Sequence, residues 1–78
     1  MIKVIFFAAP AEVVKTREIK VHITNGENVG SVIDRLTLEH PRLQDLKLLV
    51  SVNEHYSELT SCLVDGDELA IFTQVSGG

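Results

Sequence analysis

An α+β fold, with one main helix packed across a mixed sheet, is what this sequence predicts, and three observations predict it. Short runs with β-type alternation occur at both ends of the chain and again in the middle. Only one stretch, between Asn28 and His40, carries apolar residues at helical spacing over several turns. At 78 residues with 45% hydrophobic content, the chain fits one small domain whose core must be thin.

The elements follow in order. Ile2 to Ala8 reads as a strand with Ile2, Val4 and Phe6 on one face and Met1, Lys3, Ile5 and Phe7 on the other. Both faces are apolar, which suits a central strand. Ala9 to Val14 is short, with Pro10 placed to open a helical turn. Glu18 to Ile23 alternates cleanly, so Ile19, Val21 and Ile23 face a core while Glu18, Lys20 and His22 face solvent. Its short connection to the first strand predicts an antiparallel pair.

Asn25-Gly26 marks a turn, and Asn28 is the N-cap candidate for a helix that aligns Val29, Val32, Ile33 and Leu36. Gly30 costs that helix about 1 kcal/mol against Ala. Pro41 disfavours helical geometry in the residue before it, so the helix ends near His40. Leu43 and Leu46 are expected to tuck the following loop under the domain. Lys47 to Val52 is a third strand, Asn53-Glu54-His55 a turn, and Tyr56 to Leu59 a short further segment. Asp65-Gly66 is a tight-turn signal before the last strand, Glu68 to Thr73. One helix with this strand order suits a ubiquitin-like β-grasp, in which the first and last strands lie parallel at the sheet centre. A ferredoxin-like sandwich would need a second long helix.

Composition narrows the function classes. Seven basic and eleven acidic side chains, in mixed sign along the chain, argue against nucleic acid as a partner. No stretch is long enough to span a bilayer, and the apolar start is too short for a signal region. Cys62 stands alone, so no intrachain disulfide forms and a reducing, cytoplasmic setting is expected. No nucleophile-base constellation converges on Cys62, and a small buried hydrophobe is the expected role. His22, His40 and His55 lack metal-ligand spacing, and Asp65-Gly66-Asp67-Glu68 lacks the further ligands of a calcium loop. Neither a metal site nor a bound cofactor is expected.

Two features remain. The residues after Phe72 run Thr73-Gln74-Val75-Ser76-Gly77-Gly78. They divide the chain into a folded domain, 1–72, and an extended tail, 73–78, able to reach roughly 20 Å at about 3.3 Å per residue. Gly has no Cβ, so Gly77 and Gly78 could thread a narrow channel and deliver a carboxylate into another protein. A frayed terminus is the plainer alternative. A carboxylate is inert towards nucleophiles at neutral pH, so such a carrier needs an outside enzyme to form an acyl adenylate. The second feature is Phe7 and Phe72, which the alternation places on the sheet face away from the helix, near Ile5 and Ala70; an exposed apolar patch of that kind usually marks an association surface, the plainer alternative being that the Tyr56 to Leu63 segment covers one of the rings.

With this strand order, the runs Lys3 to Ala8, Leu48 to Asn53 and Asp65 to Glu68, and the Gly77-Gly78 end, the chain resembles the MoaD family, the small sulfur-carrying subunit of molybdopterin synthase. The resemblance spans essentially the whole chain. It implies that an E1-like, MoeB-like partner uses ATP to adenylate Gly78, and that a sulfur donor then converts it to a thiocarboxylate. It implies further that the tail, Val75, Ser76 and Gly77, threads into a MoaE-like large subunit, where sulfur passes to a cyclic pyranopterin. The catalytic side chains would belong to that subunit. Phe7 and Phe72 match the family's docking face, with Tyr56 where an aliphatic residue is common. Thr73-Gln74 stands where the family often has Pro-Pro, and Lys15 where it often has Gly. A ubiquitin-like modifier, or a carrier for tRNA thiolation or thiamine synthesis, is the alternative.

Overall fold

In the computed structural model, which describes residues 1–74, the chain folds as β1 (Ile2–Phe6), α1 (Ala9–Val14), β2 (Glu18–Val21), α2 (Val29–Glu39), a 3₁₀ turn (Pro41–Asp45), β3 (Leu48–Val52), β4 (His55–Tyr56) and β5 (Glu68–Thr73). The strands form one sheet in the order β2-β1-β5-β3-β4. β1 runs antiparallel to β2 and parallel to β5, which itself lies antiparallel to β3. The first and last strands therefore pair in parallel as expected, with β5 in the middle, and the architecture is the ubiquitin-like β-grasp.

Alternation decides what goes inside. Ile2, Val4 and Phe6 of β1, Leu69 and Ile71 of β5 and Val50 of β3 are buried on one sheet face, against Val29, Val32 and Leu36 of α2. Leu43 closes this core from the 3₁₀ turn, and Ile33 and Leu46 pack at its margin. The loop predicted after the helix is thus a short helical turn. Pro41 opens it, because a proline's missing N–H costs nothing at a first position.

The main helix begins as its chemistry requires. Asn28 accepts a hydrogen bond from the Ser31 amide at 2.8 Å, while Val29 and Gly30 donate to the carbonyls of Ser61 and Leu59. The first free amides are thereby satisfied by one side chain and one neighbouring segment. That segment is extended and forms an isolated bridge from Cys62 to Asn28. Its alternation turns Leu63 into the core and leaves Cys62 exposed, so the expectation of a buried thiol is corrected.

Two tight turns set the sheet's register. Asn53 and Glu54 both have positive φ (51° and 70°), as a type I′ turn demands, and they join β3 to β4 with Val52 opposite His55. At Asp65-Gly66 the Asp67 amide bonds the Val64 carbonyl, and Gly66 takes φ 90°, where a side chain would be strained. Thr73 is the last residue of β5 and pairs with Leu48, so strand structure extends into the segment assigned to the tail.

Candidate functional site

The helix leaves one face of the sheet uncovered, and the register states what lies there. Ile5 pairs with Ala70, Ala70 with Ser51 and Ser51 with Tyr56, while Phe72 pairs with Leu49. Because side chains alternate, these residues all stand opposite the buried set. The face is apolar in its middle. One edge is charged: Lys3 pairs with Glu68, with 3.9 Å between ammonium and carboxylate.

Phe72 and Tyr56 touch across this face, with ring centroids 6.0 Å apart and planes tilted by 59°. That geometry suits the positive edge of one ring and the negative face of the other. Phe72 is half-buried while Tyr56, from the short outer strand, is 85% exposed. Phe7 lies just past β1. Its amide still donates to the Ile71 carbonyl at 3.0 Å, so the ladder holds it level with β5, and its ring is 52% exposed. Sequence alternation places Phe7 and Phe72 on this face; the register puts Phe72 there, while Phe7 lies one residue past the paired part of β1. Leu49 was missed as a member, although the alternation of Leu48 to Val52 carries the signal.

The chain leaves the face abruptly after Phe7. Ala8 takes φ 59° and ψ −130°, which reverses direction into α1, and Lys15 ends that helix at φ 62° with its amide on the Ala11 carbonyl. The strand predicted to Ala8 stops at Phe6 because Ala8 cannot be extended and turn. An open cavity of about 590 Å³ lies alongside, lined by Ile5, Phe7, Ala8 and Ala11 together with Lys15 and Arg17.

The acidic turn before β5 is spent on structure. Asp67, 9% exposed, accepts from the Val64 amide and from Asn53 Nδ2, both at 2.9 Å, and Asn53 Oδ1 accepts from the Glu68 amide. This clasp ties the β3-β4 turn to the start of β5. Asp65 pairs with the terminal ammonium of Met1, which holds its carboxyl below the usual range. Among the described residues no three His, Cys, Asp or Glu side chains gather in a group able to hold a metal ion, and no helix is long and apolar enough to cross a membrane.

β5 leads out of the centre of the open face towards Gly78. The predicted threading residues Val75, Ser76 and Gly77, and Gly78 itself, lie outside the described residues. What the described part supplies is a largely apolar sheet face whose middle strand is the last one in the chain.

Residues 4–78 match the ThiS family. The chain is 36% identical to the molybdopterin synthase sulfur carrier subunit of Mycobacterium tuberculosis, covering 99% of this chain and 96% of that one. It is 37% identical to the subunit of the same name from Escherichia coli, with full coverage of both. Among solved structures, SAMP1 of Haloferax volcanii superposes with a TM-score of 0.84 at 31% identity, covering 99% of this chain and 98% of the other.

Proposed function

The chain belongs to the ThiS family, and from that membership we propose that it is the sulfur carrier of a molybdopterin synthase, with the Gly78 carboxyl as the sulfur-bearing group. The observation that carries this reading is identity of 36% and 37% along nearly whole chains with two sulfur carrier subunits. The open face adds a place for a partner to hold the domain while the tail works.

The chemistry divides between the partners. An activating enzyme transfers adenylate from ATP to the Gly78 carboxylate and releases pyrophosphate, making the carbonyl carbon electrophilic. Hydrosulfide displaces AMP to give the thiocarboxylate directly, whereas a donor persulfide displaces AMP to give an acyl disulfide that a second thiol cleaves, releasing the thiocarboxylate and leaving a disulfide on the donor. The Gly78 α-carbon, bearing no side chain, leaves that carbon open to approach in a confined channel. Docked on a large subunit through Phe7, Tyr56 and Phe72, the carrier places the thiocarboxylate where a pterin precursor can take its sulfur. No acid or base from the carrier takes part.

Intact mass spectrometry tests this. Incubated with the activating enzyme, ATP and a sulfur source, the protein is expected to gain the mass of one sulfur-for-oxygen exchange, and a variant lacking Gly78 to gain nothing. An unchanged mass in the full-length protein, or a gain in the shortened one, defeats the proposal. A second reading, a modifier attached to lysines through Gly78, is favoured by 33% identity to small archaeal modifier protein 1 of Haloferax volcanii. Recovery from the native host with a large subunit supports the first reading; recovery only as isopeptide conjugates supports the second.

A further inference from the structure

β2 is an edge of the sheet, and its outer side is open. The Phe6 amide donates to the Arg17 carbonyl at 2.9 Å, which makes those two residues a hydrogen-bonded pair. Bonded and non-bonded pairs alternate along an antiparallel ladder, so Ile19 and Val21 spend their backbone groups on Val4 and Ile2. Glu18 and Lys20, opposite Ile5 and Lys3, therefore aim their amides and carbonyls away from the sheet. The edge is stopped at one end, where the Arg35 guanidinium donates to the His22 carbonyl at 2.8 Å. At Glu18 the only capping contact among the described residues is a long one, 3.4 Å from the Thr16 hydroxyl. Between them, nothing among the described residues caps Lys20.

The side chains of this edge are unbalanced. Both Glu18 and Lys20 are exposed, and among the described residues neither has an ion-pair partner within 4.0 Å. Lys20 stands directly across from Lys3, an arrangement of like charges that costs stability. On the opposite side of the strand, half-buried Ile19 and Val21 line a groove of about 440 Å³ against Val32 and Leu36 of α2. An added strand would meet open backbone, unpaired charge and uncovered aliphatic surface together.

We infer that this edge pairs with β2 of a second copy of the chain. The outward residues are even-numbered, so a two-fold antiparallel pairing that joins backbone groups has three registers within the strand's reach. Centring it on Glu18 sets Glu18 against Glu18, and centring it on Lys20 sets Lys20 against Lys20; both oppose like charges. Centring it on Ile19 sets each Glu18 against the other copy's Lys20. That register makes two hydrogen-bonded residue pairs, about four bonds, and places Ile19 against Ile19 over the groove. It gives Lys20 an acid to offset Lys3. β5, β3 and β4 are untouched, so Phe72 and Tyr56 stay free and two docked carriers could share one continuous sheet. The contact is small, and such interfaces are transient.

Sedimentation velocity and concentration-dependent amide shifts in NMR test the pairing on the full chain. Up to about 1 mM protein, where a dissociation constant near 1 mM is still visible, the mass is expected to rise from 8.6 kDa towards twice that value. The shifts should centre on Glu18, Ile19 and Lys20. Glu18→Lys converts both attractive pairs to repulsive ones and should weaken dimerisation by ~10-fold or more. The exchange Glu18→Lys with Lys20→Glu should restore it to within ~3-fold, since two such sites recouple. A monomer throughout, shifts centred on Phe7, Tyr56 and Phe72, or a double variant as weak as the single one would each overturn the inference. The two variants change exposed positions only, and an unchanged circular dichroism spectrum verifies their fold.

Discussion

Lys15 shows how one side chain can sit against its backbone's preference. It caps α1 at φ 62°, where an L-residue other than Gly pays about 1–2 kcal/mol. Lys15→Gly is expected to raise the unfolding free energy by ~1 kcal/mol in urea, with the slope unchanged, because Gly enters this region without a Cβ clash. No gain would mean that the greater freedom of Gly in the unfolded chain cancels the relief. The site was marked in the sequence only through the family's habit of placing Gly there; nothing in Val14-Lys15-Thr16 itself announces a left-handed residue. Phe7 and Phe72 were legible from alternation alone. Phe7→Ala, at a ring already 52% exposed, should weaken large-subunit binding by ~10-fold or more, as truncation of interface aromatics does, while leaving the melting temperature nearly in place. A large drop in melting temperature with binding intact would instead make Phe7 a structural residue.

Among the elements, α2 shows why a helix cannot be judged by propensity alone. Gly30 reads as a weakness worth about 1 kcal/mol against Ala. In the fold its amide meets the Leu59 carbonyl at 2.8 Å, and a Cβ there would stand 3.2 Å from that oxygen and 3.4 Å from the Leu59 Cβ. Backbone yields little, so Gly30→Ala is expected to forfeit the propensity gain and lower stability by ~0.5–1 kcal/mol, measured by chemical denaturation. A variant more stable than the parent would show that the 57–64 segment gives way easily. Asn28 as N-cap and the halt before Pro41 were readable because each depends on adjacent residues. The 57–64 segment and the 3₁₀ turn were not, since irregular chain has no period to detect. The Asn53-Asp67 clasp escaped for a related reason: its partners are distant in sequence and meet only once β3 and β5 pair.

For the whole molecule, Glu27, on the loop that enters α2, is one carboxylate that ties stability to pH, beside the exposed Asp65. The Glu27 carboxylate accepts from the Thr24 amide at 3.0 Å and the Ser31 hydroxyl at 2.8 Å, and pairs with Arg35 at 3.1 Å. The Thr24 and Ser31 hydrogen bonds, then the Arg35 charge, hold its pKa below the ordinary 4.5 against the cost of burial. A depressed folded pKa adds stability that is fully present above the unfolded value and is lost as pH falls through the folded one. The urea midpoint should therefore decline below pH 4.5, and Glu27→Gln should be less stable at neutral pH with a flatter acid limb. Parallel acid limbs in the two proteins would remove Glu27 from the account. The overall topology, by contrast, followed from a count: one long helix, strands at both ends, and no second long helix.

One consequence of that topology concerns manufacture. β5 lies between β1 and β3, with Glu68 beside Lys3, so the middle of the sheet is filled by residues synthesised after the rest of the domain. Pairing over such a sequence distance is slow to form and cannot begin until both partners exist. A chain broken off before Ile71 lacks most of its central strand, so it is expected to stay unfolded and to be cleaved readily in limited proteolysis. The domain thus acts as its own inspection step: acquiring the fold certifies that synthesis has run at least as far as β5.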